Sequence, residues 1–104
     1  MVKNDCGVYI SGTEKVELDN NSNFVKITIG EESGKFGYAL NIQGKTSGFC
    51  YGLADRDLKY ASRVEMLNHM RLEVFTGIIR HCDNDEILKD KFLDTFFNDQ
   101  LELF

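Results

Sequence analysis

The sequence predicts an α+β fold: an antiparallel β-meander of three to five strands in the N-terminal half, then two C-terminal α-helices packed on one face. Three observations lead there. Eight of nine glycines lie at or before Gly52, which concentrates turns in the first half. Apolar and polar residues alternate through much of the stretch from Phe24 to Leu53. Beyond Ser62 the apolar period lengthens to that of a helix, and it does so twice.

The strands are expected within about residues 7–53. Val8-Tyr9-Ile10 and Lys15-Val16-Glu17-Leu18 flank Ser11-Gly12-Thr13-Glu14 and suggest a short hairpin. Asn20-Asn21-Ser22-Asn23 reads as a loop. Val25, Ile27 and Ile29 share one strand face, and Gly30 to Gly34 reads as a turn. Phe36, Tyr38, Leu40 and Ile42 give the cleanest alternation in the chain, followed by a turn at Gly44 to Ser47. Phe49, Tyr51 and Leu53 continue the apolar face.

Two helices are expected, over about 62–82 and 84–98. Ser62-Arg63-Val64-Glu65 is a capping box, in which the hydroxyl accepts from the amide of residue 65 and the carboxylate reaches back. Val64, Leu67, Val74 and Ile78 form its stripe, widened by Met70, Phe75 and Cys82. Gly77 in the helix interior points to close approach of helix and sheet. Asp83 to Glu86 reads as a second capping box, opening a helix with Leu88, Phe92 and Phe96 inward and Leu93 and Phe97 beside them. Leu101-Glu102-Leu103-Phe104 is apolar without a clear period.

At 104 residues, 42% hydrophobic and 28% charged, the chain reads as a single foldable domain over 1–104. It has no apolar run near the roughly 20 residues a membrane helix needs, and its first residues do not resemble a signal peptide. A cytoplasmic protein with no membrane contact is expected. Cys6, Cys50 and Cys82 are odd in number and irregularly spaced, which fits reduced thiols. Proline is absent. Usage rich in Asn, Lys, Asp, Ile and Phe, with Ala only at 39, 54 and 61, fits an AT-rich coding sequence such as that of a low-GC bacterium or its phage.

Charge is the most distinctive feature. Residues 1–82 balance 10 basic against 10 acidic side chains, whereas residues 83–104 hold seven acids and two lysines, so the net −5 resides there.

Motifs that carry chemistry are few. No Gly-rich phosphate loop is present, and the glycines sit at hairpin turns. Cys6, Cys50, Cys82, His69 and His81 lack the spacing of metal ligands, so no metal and no cofactor is expected. Cys50 sits mid-strand on the polar face with no base placed beside it, which leaves a cysteine-dependent enzyme as a remote alternative. The acidic balance disfavours direct nucleic-acid binding.

Two surfaces remain. Glu86, Asp90, Asp94, Asn98 and Glu102 recur every four residues, about 6 Å apart along a helix axis. With Asp83 nearby, this ridge could imitate a nucleic-acid backbone and dock on a basic groove of a nucleic-acid-binding protein. The second surface is the uncharged sheet face around Thr28, Ala39, Asn41, Gly48, Cys50 and Gly52, where a homodimer could form. The leading expectation is a small non-enzymatic protein-binding protein acting through Glu86, Asp90, Asp94, Glu102 and Asp83. Its concrete form is a phage or mobile-element inhibitor that blocks a host defence protein. The alternative is a homodimeric interaction domain using Asn41, Thr28 and Cys50.

Overall fold

The computed structural model of the chain describes the backbone of residues 2–102 and the side chains of residues 2–97. It has six strands, β1 (Val2–Lys3), β2 (Tyr9–Ser11), β3 (Glu14–Asn20), β4 (Asn23–Glu32), β5 (Lys35–Gln43) and β6 (Gly48–Cys50), then a single 3-10 turn at Asp55–Asp57, α1 (Arg63–His81) and α2 (Glu86–Glu102). Strands β3-β4-β5-β6 form an antiparallel sheet in sequence order, and β1-β2 form a separate two-stranded ribbon. The α+β class and the segregation of strands from helices are as the sequence predicts.

The main core lies between the sheet and both helices. Val25, Ile27, Ile29, Tyr38, Leu40 and Ile42 face Met66, Met70, Val74 and Ile78 of α1 and Leu88, Phe92 and Phe97 of α2. Period-two alternation puts every second side chain of β4 and β5 on that face. In-register pairing of Val25 with Ile42, Ile27 with Leu40 and Ile29 with Tyr38 then aligns them into one apolar surface.

The expected hairpin between Val8–Ile10 and Lys15–Leu18 does not form. β3 instead pairs with β4 over seven residue pairs, which aligns Val16 with Ile27 and Leu18 with Val25. A seven-pair register with two apolar contacts outcompetes a three-residue strand. β2 turns away, pairs with β1, and buries Tyr9 on the opposite face of the sheet.

The turn expected at Gly30–Gly34 is shorter. β4 runs on to Glu32, and only Ser33 and Gly34 turn the chain, both at positive φ (55° and 78°). Two consecutive residues at positive φ match the twist of a two-residue hairpin, and Gly adopts it without steric cost.

Leu53 does not share a face with Phe49, and Tyr51 packs against both the main core and the cluster around Leu53. The chain leaves the sheet after Cys50, and Leu53 crosses to the far side to join Tyr9 and Ala39 in a second cluster. There the Tyr9 hydroxyl bonds to Glu32 Oε2 at 2.6 Å and to Asp55, and Lys3 Nζ pairs with Asp55 at 2.6 Å. The Lys3 ammonium first, and then the Tyr9 hydroxyl, hold the Asp55 carboxyl below its usual range.

Ser62 caps α1 as predicted, with Glu65 N–H donating to its Oγ at 3.1 Å. The reciprocal bond shifts by one residue, to Ala61 N–H and Glu65 Oε2 at 3.3 Å. Val64 is not part of the stripe: it is 56% exposed, and Met66 occupies the core instead. A Cβ on Gly77 would lie 2.5 Å from Ile42 Cδ1, so its role is the close approach of α1 to β5.

The second capping box is displaced. Asp83 and Asn84 both adopt positive φ and complete the interhelical turn, while Asp85 caps α2 through Leu88 N–H at 3.0 Å. Along α2, Leu88, Phe92 and Phe97 are buried, and Leu93 and Phe96 pack at their margin. Leu101 and Glu102 continue α2; Leu103 and Phe104 lie outside the described residues. Among the described residues, no helix is long and apolar enough to cross a membrane.

Candidate functional site

Three surfaces hold the residues with chemistry. The first is the outer face of α2. Asp85 and Lys91 pin this helix to the β3–β4 hairpin: Asp85 accepts from Asn23 Nδ2 at 2.9 Å and Asn20 Nδ2 at 3.0 Å, and Lys91 Nζ donates to Asp19 O at 2.7 Å. Burial pushes the Asp85 carboxyl up, but the amides of Asn23, Asn20 and the backbone of Leu88 and Ile87 outweigh it, and the net shift is downward. Glu86, Asp90 and Asp94 are exposed. Glu86 pairs with Lys89 at 3.0 Å, whereas Asp90 and Asp94 form no ion pair among the described residues. Ile87, which sequence reasoning did not single out, is 56% exposed and lies one turn from Asp90 and two from Asp94. Asp83 sits in the interhelical turn and not on the ridge, and the side chains of Asn98 and Glu102 lie outside the described residues.

The second surface is what remains of the open sheet face. The ribbon, Leu53 and the Asp55–Asp57 turn cover it at the Gly37–Ala39 end, so the flat expanse expected around Ala39 and Gly52 is not free. A Cβ on Gly52 would run into Val8, and one on Gly37 into the Asp57 carbonyl. The uncovered part brings together Thr28, Asn41 and Cys50: Asn41 is the register partner of both Lys26 and Cys50, and Thr28 neighbours them on β4. A shallow depression of about 220 Å³ there is lined by Thr28 and Asn41 together with Lys15, Glu17 and Lys26, and Cys50 is not part of its lining. Cys50 stands on the face opposite both histidines. His81 packs on Phe49 and bonds Ser47 Oγ at 2.8 Å, and His69 lies on α1 among tyrosines, so no Cys–His pair forms.

The third surface is a cleft that no linear motif marks. β6 pairs only with residues 41–43 of β5, and Tyr51 N–H then bonds Leu40 O at 3.1 Å before the chain leaves. The chain returns at Tyr60, whose N–H bonds Phe36 O at 3.0 Å while Phe36 N–H bonds Tyr60 O at 2.9 Å. Between these two points the edge of β5 is open beside Tyr38, and α1 overhangs it with His69 and Glu73. The result is a polar cleft of about 250 Å³ lined by Tyr38, Tyr51, Asp57, Lys59, Tyr60 and Glu73.

Beside the cleft, the half-exposed His69 has its Nδ1 2.9 Å from the Tyr60 hydroxyl and 3.1 Å from that of Tyr38. Glu73 Oε1 is 3.7 Å from the same nitrogen, one helical turn away. Tyr38 and Tyr51 are held well above the ordinary phenol range, first by burial and then by the negative charge of Glu73. The phenols are therefore neutral hydroxyls at physiological pH. Their one sequence signal was spacing, since Tyr38 and Tyr51 fall on the apolar parity, where a polar tip needs a partner.

Among the described residues, no three His, Cys, Asp or Glu side chains are grouped to hold a metal ion. Comparison of the chain with protein-family models, with curated proteins and with solved structures returned no match.

Proposed function

We propose that the protein is a non-catalytic protein-binding module whose working surface is the outer face of α2. The observation that carries this reading is the exposed Ile87 set beside Asp90 and Asp94 on a helix pinned at Asp85 and Lys91. An exposed apolar side chain ringed by acids suits a partner that presents a small apolar spot inside a basic surface. Rigid anchoring means that little order has to be gained on binding, which lowers the cost of association.

A basic groove that normally holds nucleic acid has this complementarity, and the acids of α2 stand in for phosphates there. In its most concrete form the protein is a phage or mobile-element inhibitor that blocks such a groove in a host defence protein. The concentration of net charge in the last 22 residues and the AT-rich residue usage support that form. The alternative, a homodimer through Thr28, Asn41 and Cys50, has less surface available, because Tyr9 and Leu53 cover one end of the face.

The test is retention of partners from a host lysate by the wild type and by a Glu86→Lys, Asp90→Lys, Asp94→Lys variant, with and without competing duplex DNA. Capture of a basic nucleic-acid-binding protein that the variant loses, and that salt and DNA both displace, supports the reading. Capture that neither the variant, salt nor DNA affects overturns it.

A further inference from the structure

We propose that the cleft between β5 and the middle of α1 binds a primary ammonium group. The inference is independent of the outer face of α2, a helix whose buried side packs on α1 through Phe75 and Phe92.

The cleft is rich in acceptors. Two carboxylates line it, Glu73 and Asp57, and neither pairs with a lysine or arginine among the described residues. Asp57 uses Oδ2 to accept from Ala54 N–H at 2.9 Å, which fixes its carboxylate and leaves Oδ1 to a ligand. Among the described residues, the one salt-bridge partner of Glu73 is the His69 ring, at 3.7 Å. The hydroxyls of Tyr38 and Tyr60 converge on the single Nδ1 of His69. The phenol of Tyr51 lines the same space.

An ammonium offers three donors to this arrangement: one each for Glu73, Asp57 and the Tyr51 oxygen. Anions are excluded by two carboxylates in a confined polar space. The ring faces do not form an open cage for a methylated cation, because Tyr38 and Tyr60 are stacked on each other at 6.0 Å and Phe49 and Tyr51 at 6.5 Å. Recognition therefore rests on hydrogen bonds, and a cation with N–H groups is preferred over one without. The chain places one cation of its own beside the cleft, the Lys59 ammonium, 5.7 Å from the centre of the Tyr60 ring. Lys59 is exposed and unpaired among the described residues, so it competes with an incoming ligand.

The experiment uses the full chain, with n-butylammonium as the probe and tetramethylammonium and butyrate as controls. Three of the four tyrosines line the cleft and tryptophan is absent, so tyrosine fluorescence reports it directly. Amide shifts in NMR spectra locate the response. The expected result is a saturable change with n-butylammonium alone, confined to the residues around Tyr38, Tyr51, Tyr60, His69 and Glu73. Glu73→Gln should weaken it about tenfold, by loss of a charge-assisted bond. Lys59→Met should tighten it roughly threefold, by removing a like charge at the mouth. A lysine blocked at both ends, compared with free spermidine, separates a side chain of a partner protein from a small polyamine as the natural source. Equal responses to all three probe ions, shifts spread over α2, or insensitivity to both substitutions overturns the proposal.

Discussion

Asp85 Oδ2 lies 2.9 Å from Asn23 Nδ2, while Asp85 Oδ1 accepts the Leu88 N–H at 3.0 Å. One carboxylate thus caps α2 and fastens it to the β3–β4 turn. Replacing Asp85 with Ala removes both functions at once. A loss of about 1–2 kcal/mol is expected from the cap and the orphaned Asn amides, measured by urea denaturation at neutral pH.

The same carboxylate makes stability depend on acid. Its folded pKa is depressed, so its contribution is complete above the unfolded value, about 4, and is lost as pH falls through the lower folded value. Urea midpoints measured from neutral pH down into the acid range should fall less steeply for Asp85→Ala than for the wild type. Parallel acid limbs would show that other carboxylates dominate.

Gly37 lets the Asp57 carbonyl approach β5 closer than any side chain allows. Gly37→Ala forces apart the sheet and the Asp55–Asp57 turn that shapes one wall of the cleft. A cost of about 2–3 kcal/mol is expected, since the obstacle is backbone that cannot rotate aside. Thermal unfolding measures it, and the tyrosine emission of the folded variant should change as well.

The three thiols should separate cleanly in a colorimetric titration. Cys6 and Cys50 are exposed, whereas Cys82 is buried. The Cys82 thiol donates to Gln43 O at 3.5 Å, and burial followed by the charges of Asp85 and Asp83 raises its pKa. Two thiols are expected to react promptly in the native protein and the third only on unfolding. A third prompt thiol would contradict the packing of the interhelical turn against β5.

Phe92 is fully buried and touches the rings of Phe75, Phe96 and Phe97. Phe92→Ala should cost about 3–5 kcal/mol, a large share of the stability of a domain this size. Ile87→Ala, one turn away on the outer face, should leave the melting temperature within about a degree or two. The contrast between them, read in one set of thermal melts, tests whether α2 has a single buried face.

Much of this architecture was legible in the residues. The Ser62 cap, the strand face Val25–Ile27–Ile29 and the close approach at Gly77 all follow from short-range patterns that tertiary contacts reinforce. The misreadings have a common cause. Tyr9 and Leu53 have the same composition whether they face the helices or the opposite side, and parity is meaningful only while a strand stays in the sheet. The chain leaves the sheet at Cys50, and from there Leu53 is placed by the path of the backbone. Val64 and Met66 stand two positions apart on α1, about 200° around the helix axis, so only one of them can face the core, and the packed sheet selects Met66.

By itself, the sequence determined the fold class, the order of strands before helices, the inward faces of β4 and β5, and the gathering of negative charge in the last helix. These are properties of local period and composition, which act within a few residues. Only the tertiary structure decided that Asp85 and not Asp83 caps α2, that the ribbon covers the far end of the sheet, and that Tyr38, Tyr51, Tyr60, His69 and Glu73 meet around one cleft. Side chains up to 35 positions apart in the chain converge there because β6 stops short and Tyr60 returns to the vacant edge. No periodicity encodes that convergence; it follows from where the folded backbone departs from the sheet and where it comes back.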